Sequence, residues 1–235
     1  MKPPYIKKIS ETNGFSVFYV NGKYIREHIE KDFPNFSAHY YFKFIPENEI
    51  WVDKEFSKKE YKYFIEFIIT REKAIQGKTP EEARQLGNKA EQAKRDKSKI
   101  IRKLKKLSKK EQIKKVHKRF LKKYSNNKIK TWLVNGFLVR SLYFLDFTAG
   151  GHEKVYGFVP ENEIWVDDAL NPKERESLLL HELYERRLMA QDKTSKTKQE
   201  SYLKTHKMAL ELEAEFRNNR KALKQRIKQE LALQP

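Results

Sequence analysis

PENEIWVD spans Pro46–Asp53 and recurs letter for letter at Pro160–Asp167. The copies stand 114 residues apart, and the same offset holds on both sides without a gap. It pairs Val20-Asn21-Gly22 with Val134-Asn135-Gly136, Arg26 with Arg140, Asp32-Phe33 with Asp146-Phe147, and Lys59-Glu60 with Lys173-Glu174. An identity of this length in a gapless frame marks a duplicated unit, and each copy should fold the same way.

Working outward from EIWVD, each copy has one grammar. FSVFYV and KYIREHI flank Asn21-Gly22, and KTWLV and FLVRSLY flank Asn135-Gly136. Asn-Gly between apolar runs predicts a hairpin. HYYFKFI or KVYGFV, a Pro-Glu-Asn turn and EIWVD then predict a second hairpin, giving a small antiparallel sheet. Helices follow. Ser57 and Glu60 form a capping-box pattern, while Asn171, Pro172 and Glu174 supply an N-cap, a first-turn proline and a first-turn acid. A second helix should close each unit, over roughly 80–97 and 198–229. The expected class is α+β: tandem sheet-plus-helices units at 1–97 and 127–235, joined by basic helices at 98–126. Trp51 and Trp165, inside the repeated strand, read as core residues.

The joining stretch carries most of the charge. Lys89–Lys123 holds 17 Lys and Arg against three acids, or +14 of the formal +19 of the 235-residue chain. Ile100, Ile101, Leu104 and Leu107 have helical spacing. Ser108 and Glu111 form a further capping box, and Ile113, Val116, Phe120 and Leu121 mark the face beyond it. Such a segment is either a solvated connector or a phosphate-binding surface. Concentration of one sign favours the second, with Lys103, Lys106, Lys110, Lys114, Lys118 and Arg119 as candidate contacts to the nucleic-acid backbone. The absence of cysteine excludes disulfides and thiolate metal sites and fits a reducing, cytoplasmic location. No run is apolar enough to span a bilayer, and MKPPYIKKIS lacks the apolar core of a signal peptide.

LLLHELYERRLM at Leu178–Met189 carries the candidate chemistry. Helical spacing puts His181 and Glu185 on one face with Glu182 beside them. In the sister copy His181, Glu182 and Glu185 align with Phe67, Ile68 and Arg71. Two apolar counterparts imply burial, and buried ionisable groups need a partner or a metal. The competing reading is an exposed, ion-paired helix turn built on Glu182 and Arg186. Tyr202, His206, Ala209, Glu213 and Phe216 form one stripe on the next helix, so His206 can complete a set with His181 and Glu185. Glu213 and Tyr202 would be further ligands or lie behind the ligands. Two imidazoles and a carboxylate suit zinc or another divalent transition metal, with Glu182 as general base. His152, in TAGGHEK, is a further candidate without a spacing argument. His28, His39 and His117 read as non-functional.

The set resembles that of the zincin metallopeptidases. Their plan is a small sheet, a helix carrying HExxH, and a third ligand on a following helix. His181 and Glu182 match the first two motif positions, Glu185 stands where the family has its second His, and His206 supplies the remaining imidazole. The resemblance covers roughly residues 155–217. It implies a zinc-dependent hydrolase acting on a peptide or protein. The alternative is a non-enzymatic DNA- or RNA-binding protein in which the His/Glu set is structural.

Overall fold

The computed structural model describes residues 4–55 and 60–235. The chain divides into two units, Met1–Lys114 with Phe137–Asp146, and Lys115–Gly136 with Phe147–Pro235. The architecture is α+β, with a four-stranded sheet followed by helices in each repeat.

The first sheet holds β1 (Tyr5–Thr12), β2 (Phe15–Val20), β3 (Phe36–Ala38) and β4 (Glu49–Asp53) in the order β1-β2-β4-β3. β1 and β2 form a hairpin through Asn13-Gly14, both at positive φ. Helix α1 (Gly22–His28) leads out of β2, and β4 returns parallel to it, pairing Ser16 with Glu49 and Val20 with Asp53. β3 lies antiparallel on the other side of β4. EIWVD is therefore an inner strand covered on both faces, which explains why it reads as nearly continuous apolar sequence. Ile50 and Val52 pack with Val17, Ala38, Phe64, Phe67 and Ile68. Trp51 points the other way, into Val20, Ile25, Phe33 and Ile45. Helices α2 (Tyr61–Ala74) and α3 (Pro80–Asp96) pack on one another, with α3 started by a Thr79–Glu82 capping box. Basic helices α4 (Lys99–Leu104) and α5 (Lys109–Val116) follow, interrupted at the Ser108–Glu111 capping box.

The second sheet repeats the topology. β5 (His117–Phe120), β6 (Lys130–Val134), β7 (Gly150–His152) and β8 (Glu163–Asp167) take the order β5-β6-β8-β7. β6 runs parallel to β8, while β5 and β7 are antiparallel to their neighbours. Helix α6 (Gly136–Leu142) stands where α1 does in the first repeat, 114 residues on. Helices α7 (Pro172–Gln191), α8 (Lys198–Phe216) and α9 (Arg220–Ala232) complete the chain. None of the described helices is long and apolar enough to cross a membrane.

Several expectations are corrected. The sheets are mixed, and neither Asn21-Gly22 nor Asn135-Gly136 is a hairpin turn, since a helix starts at each glycine. A two-residue hairpin of that type needs positive φ at both positions. Asn21 instead has φ −83° and its side chain accepts from Tyr24 N at 3.2 Å, so it caps α1. The glycine serves close approach: a Cβ on Gly22 or Gly136 would run into the carboxylate of Asp53 or Asp167. HYYFKFI and KVYGFV are turns, and the strand partner of EIWVD lies upstream, at β3 and β7. The stretch expected to be purely helical contains β5, followed by a 3-10 turn at Lys122–Tyr124. The long closing helix breaks at Arg217–Asn219, where Asn219 caps α9. Ser57 lies outside the described residues. Glu60 is buried and accepts from Arg95 and Arg140.

Candidate metal centre

Helix α7 starts where Asn171 accepts from Glu174 N at 3.1 Å and Pro172 takes the first helical position. It is buried over much of its circumference. Leu179, Leu180 and Leu183 enter the core, and His181, Glu182, Glu185 and Arg186 are buried with them. Gly150 of β7 lets this helix come close, since a Cβ there would strike Leu178 and the carbonyl of Trp165. Arg186 does not pair with Glu182 as an exposed helix turn would require. It donates to Glu153 at 3.0 Å, to Asn162 at 2.9 Å and to Gln234 at 2.9 Å. Gln234 in turn donates to the carbonyl of Leu183 at 2.9 Å, so Gln234 ties Arg186 to the turn that carries the site.

The sequence-predicted trio comes together. His206 Nδ1 lies 2.7 Å from Glu185 Oε2, His181 Nε2 lies 3.1 Å from His206 Nδ1, and His181 Nε2 lies 3.5 Å from Glu185 Oε2. Ligand atoms around a tetrahedral ion with bonds of about 2.0–2.1 Å sit about 3.3 Å apart. The observed triangle has edges on either side of that value. If both imidazole nitrogens kept their protons, the two N–H groups would face each other across 3.1 Å. A cation would resolve the arrangement by accepting both nitrogen lone pairs.

Supports stand behind the candidate ligands. His181 Nδ1 is 3.2 Å from Glu213 Oε2, an ion-pair contact off the line of a straight hydrogen bond. Glu213 is held by Arg217, which also donates to Glu174 Oε2 at 2.5 Å. A carboxylate behind a ligating imidazole fixes its ring and raises its basicity. Tyr202 stacks on the His206 ring, with centroids 5.0 Å apart.

His152 joins from β7, fully buried, with Nε2 donating to Glu185 Oε1 at 3.0 Å. Its Nδ1 is buried without a hydrogen-bond partner among the described residues. His152, Glu182 and Glu185 form a second trio whose ligand atoms lie within 4.8 Å of one another. Spacing along the sequence gave His152 no role. The signal was available: His152 aligns with Ala38, a buried residue of the sister strand, the same kind of evidence that singled out His181.

The electrostatics follow from burial and crowding. Burial opposes ionisation of Glu185, but hydrogen bonds from His152, His181 and His206 outweigh it and hold the carboxyl well below the usual range. Burial, reinforced by the charge of Glu185, pushes Glu182 up to about 8 against the pull of His181 and His206. Burial also works against a charged His181, yet its contacts to Glu185 and Glu213 keep its pKa well above the ordinary value. Burial lowers His152 in spite of Glu185. Two adjacent buried carboxyls and three imidazoles make a set that a divalent cation would stabilise.

The candidate phosphate contacts lie apart in the sequence. Lys103, Lys106, Lys110 and Lys114 are exposed on or beside α4 and α5, and none forms a salt bridge among the described residues. Lys118 and Arg119 are exposed on β5, where Lys118 pairs with Asp168 at 2.5 Å.

Comparison of the chain with protein-family models, with curated proteins and with solved structures gives no match.

Proposed function

We propose that this chain is a metal-dependent hydrolase whose ion is held by His181, Glu185 and His206. The observation that supports the reading is the convergence of three ligand atoms from α7 and α8 at separations of 2.7, 3.1 and 3.5 Å, which bracket the spacing around a tetrahedral ion. Two nitrogens and one oxygen suit zinc among divalent ions. Such an ion would polarise a carbonyl and make a water it holds more acidic. Glu182 has a carboxyl oxygen within 4.8 Å of Glu185 and is the group to take the proton. His206 is the ligand that reaches solvent, with 23% of its side chain exposed, so substrate would approach from its side. A peptide bond is the substrate bond that the zincin resemblance implies, and a reducing interior fits the cysteine-free chain.

The test is metal content after chelator treatment and zinc reloading of untagged protein, with activity measured on a peptide library. His181→Ala, Glu185→Ala and His206→Ala should each lose the ion. Glu182→Gln should keep an ion at His181 and His206 while hydrolysis falls by roughly 10²–10⁴-fold. Retention of zinc by all three ligand variants would reject the assignment.

A second activity, non-specific binding of nucleic acid, is supported by Lys103, Lys106, Lys110 and Lys114, which are exposed and outside any salt bridge among the described residues. It could accompany hydrolysis or, if the His/Glu set is structural, stand alone. Each lysine on a phosphate releases counterions, so affinity should fall steeply with salt. Charge reversal at these four should weaken binding and reduce the salt slope by about 1 for every lysine that had neutralised a phosphate. An unchanged slope would make α4 and α5 a solvated connector.

A further inference from the structure

We propose that the cluster has a second cation position, formed by His152, Glu182 and Glu185, so that Glu185 bridges two divalent ions. The inference rests on the assignment of the first ion to His181, Glu185 and His206. It is carried by how Glu185 is used. Its Oε2 faces His206 at 2.7 Å, while its Oε1 faces His152 at 3.0 Å. One carboxylate thus presents one oxygen to each trio, the disposition of a bridging ligand. Bridged ions of this kind sit about 3.5–4 Å apart.

The second trio is built rather than incidental. His152 is fully buried, and Glu182 and Glu185 are buried beside it. Their counterparts in the first repeat are Ala38, Ile68 and Arg71, so neither His152 nor Glu182 is needed for the shared fold. One ion at the first position would give neither Glu182 nor His152 a ligand role. A second ion gives both a ligand's task. It also satisfies a pair of carboxyls that would otherwise repel in a low-dielectric setting. The donor sets differ: two nitrogens and one oxygen at the first position, one nitrogen and two oxygens at the second. Imidazole-rich sites suit zinc, and carboxylate-rich sites suit manganese. With the second ion bound, Glu182 is a ligand and no longer a free base, so the one-ion and two-ion forms activate water differently.

The experiment loads metal-stripped full-length protein with Mn²⁺ alone or with Zn²⁺ alone. It counts ions per chain after gel filtration and records the electron paramagnetic resonance spectrum of the manganese form. The expected result is two ions per chain and a spin-coupled manganese pair. His152→Ala should reduce the count to one and abolish the coupling, with the remaining ion lost on adding His206→Ala. Circular dichroism checks that the variants are folded, and the wild-type spectrum tests the pair without any variant. One ion in the wild type, still bound in His152→Ala, would overturn the second position and leave the first standing. Two ions unaffected by His152→Ala, or two without coupling, would also overturn it. No ion in the wild type would overturn both assignments.

Discussion

The two repeats fold alike and fill the seam between sheet and helices with opposite chemistry. In the first, Ala38 on β3 and Phe64, Phe67 and Ile68 on α2 join one apolar cluster. Gly87 of α3 leaves the Phe67 ring its space, since a Cβ there would strike it. In the second, His152, His181 and Glu182 stand where Ala38, Phe67 and Ile68 stand, and α8 brings His206 against His181 with ring centroids 4.8 Å apart. Even the hairpin of helices is tied the same way. Glu60, aligned with Glu174, holds Arg95, and Glu174 holds Arg217. The comparison teaches that the fold needs no polar group at the positions of His152, His181 and Glu182. The polar set of the second repeat therefore calls for an explanation outside folding, and an ion supplies one.

The largest effect expected bears on the shared part. Trp51→Ala and Trp165→Ala should each destabilise their unit by about 3–5 kcal/mol, the range for truncating a buried aromatic. Denaturant melts followed by amide exchange in each unit would measure it. Destabilisation in one repeat only would break the equivalence of the two sheets. An intermediate effect concerns the part that differs. His181→Phe with Glu182→Ile copies the first repeat into the second. Replacing buried charged groups with apolar ones is often neutral or stabilising by about 1–4 kcal/mol. The metal-free variant should be no less stable than metal-free wild type, and a marked drop would mean that the polar set is structural. The smallest effect is confined to acid. Burial opposes ionisation of Glu60, but Arg140 and Arg95 outweigh it and lower its pKa. A carboxyl lowered in the folded state contributes stability above its unfolded pKa of about 4.3, lost as pH falls through the folded value. Glu60→Gln should make the first unit less stable at neutral pH and less sensitive to acid. Parallel acid melts of wild type and variant would contradict this.

Much of this was legible in the sequence because a duplication acts as an internal control. The gapless offset carried the helices, the inner strand EIWVD, and the burial of His181 and Glu182. It did not carry the pairing of strands. A three-residue strand such as Phe36–Ala38 is too short for periodicity to register, so the longer apolar run after it drew the strand assignment. Asn21-Gly22 misled because its two residues serve different ends, capping a helix and admitting an aspartate. His152 was a candidate without a spacing argument because helical spacing was the criterion for a ligand, and this residue arrives from a strand. The break at Arg217–Asn219 hid in a run of charged and polar residues with no proline or glycine to mark it.

The most direct test of the central claim is the melting temperature of the full-length chain with and without zinc, against the His181→Phe, Glu182→Ile variant. A ligand that binds only the folded state stabilises it by about 2.7 kcal/mol at about a hundredfold excess over Kd. Zinc should raise the melting temperature of the wild type by several degrees and leave the variant unmoved. A wild-type melt indifferent to zinc, manganese, cobalt and nickel, in protein that carries no metal when purified, would contradict the account.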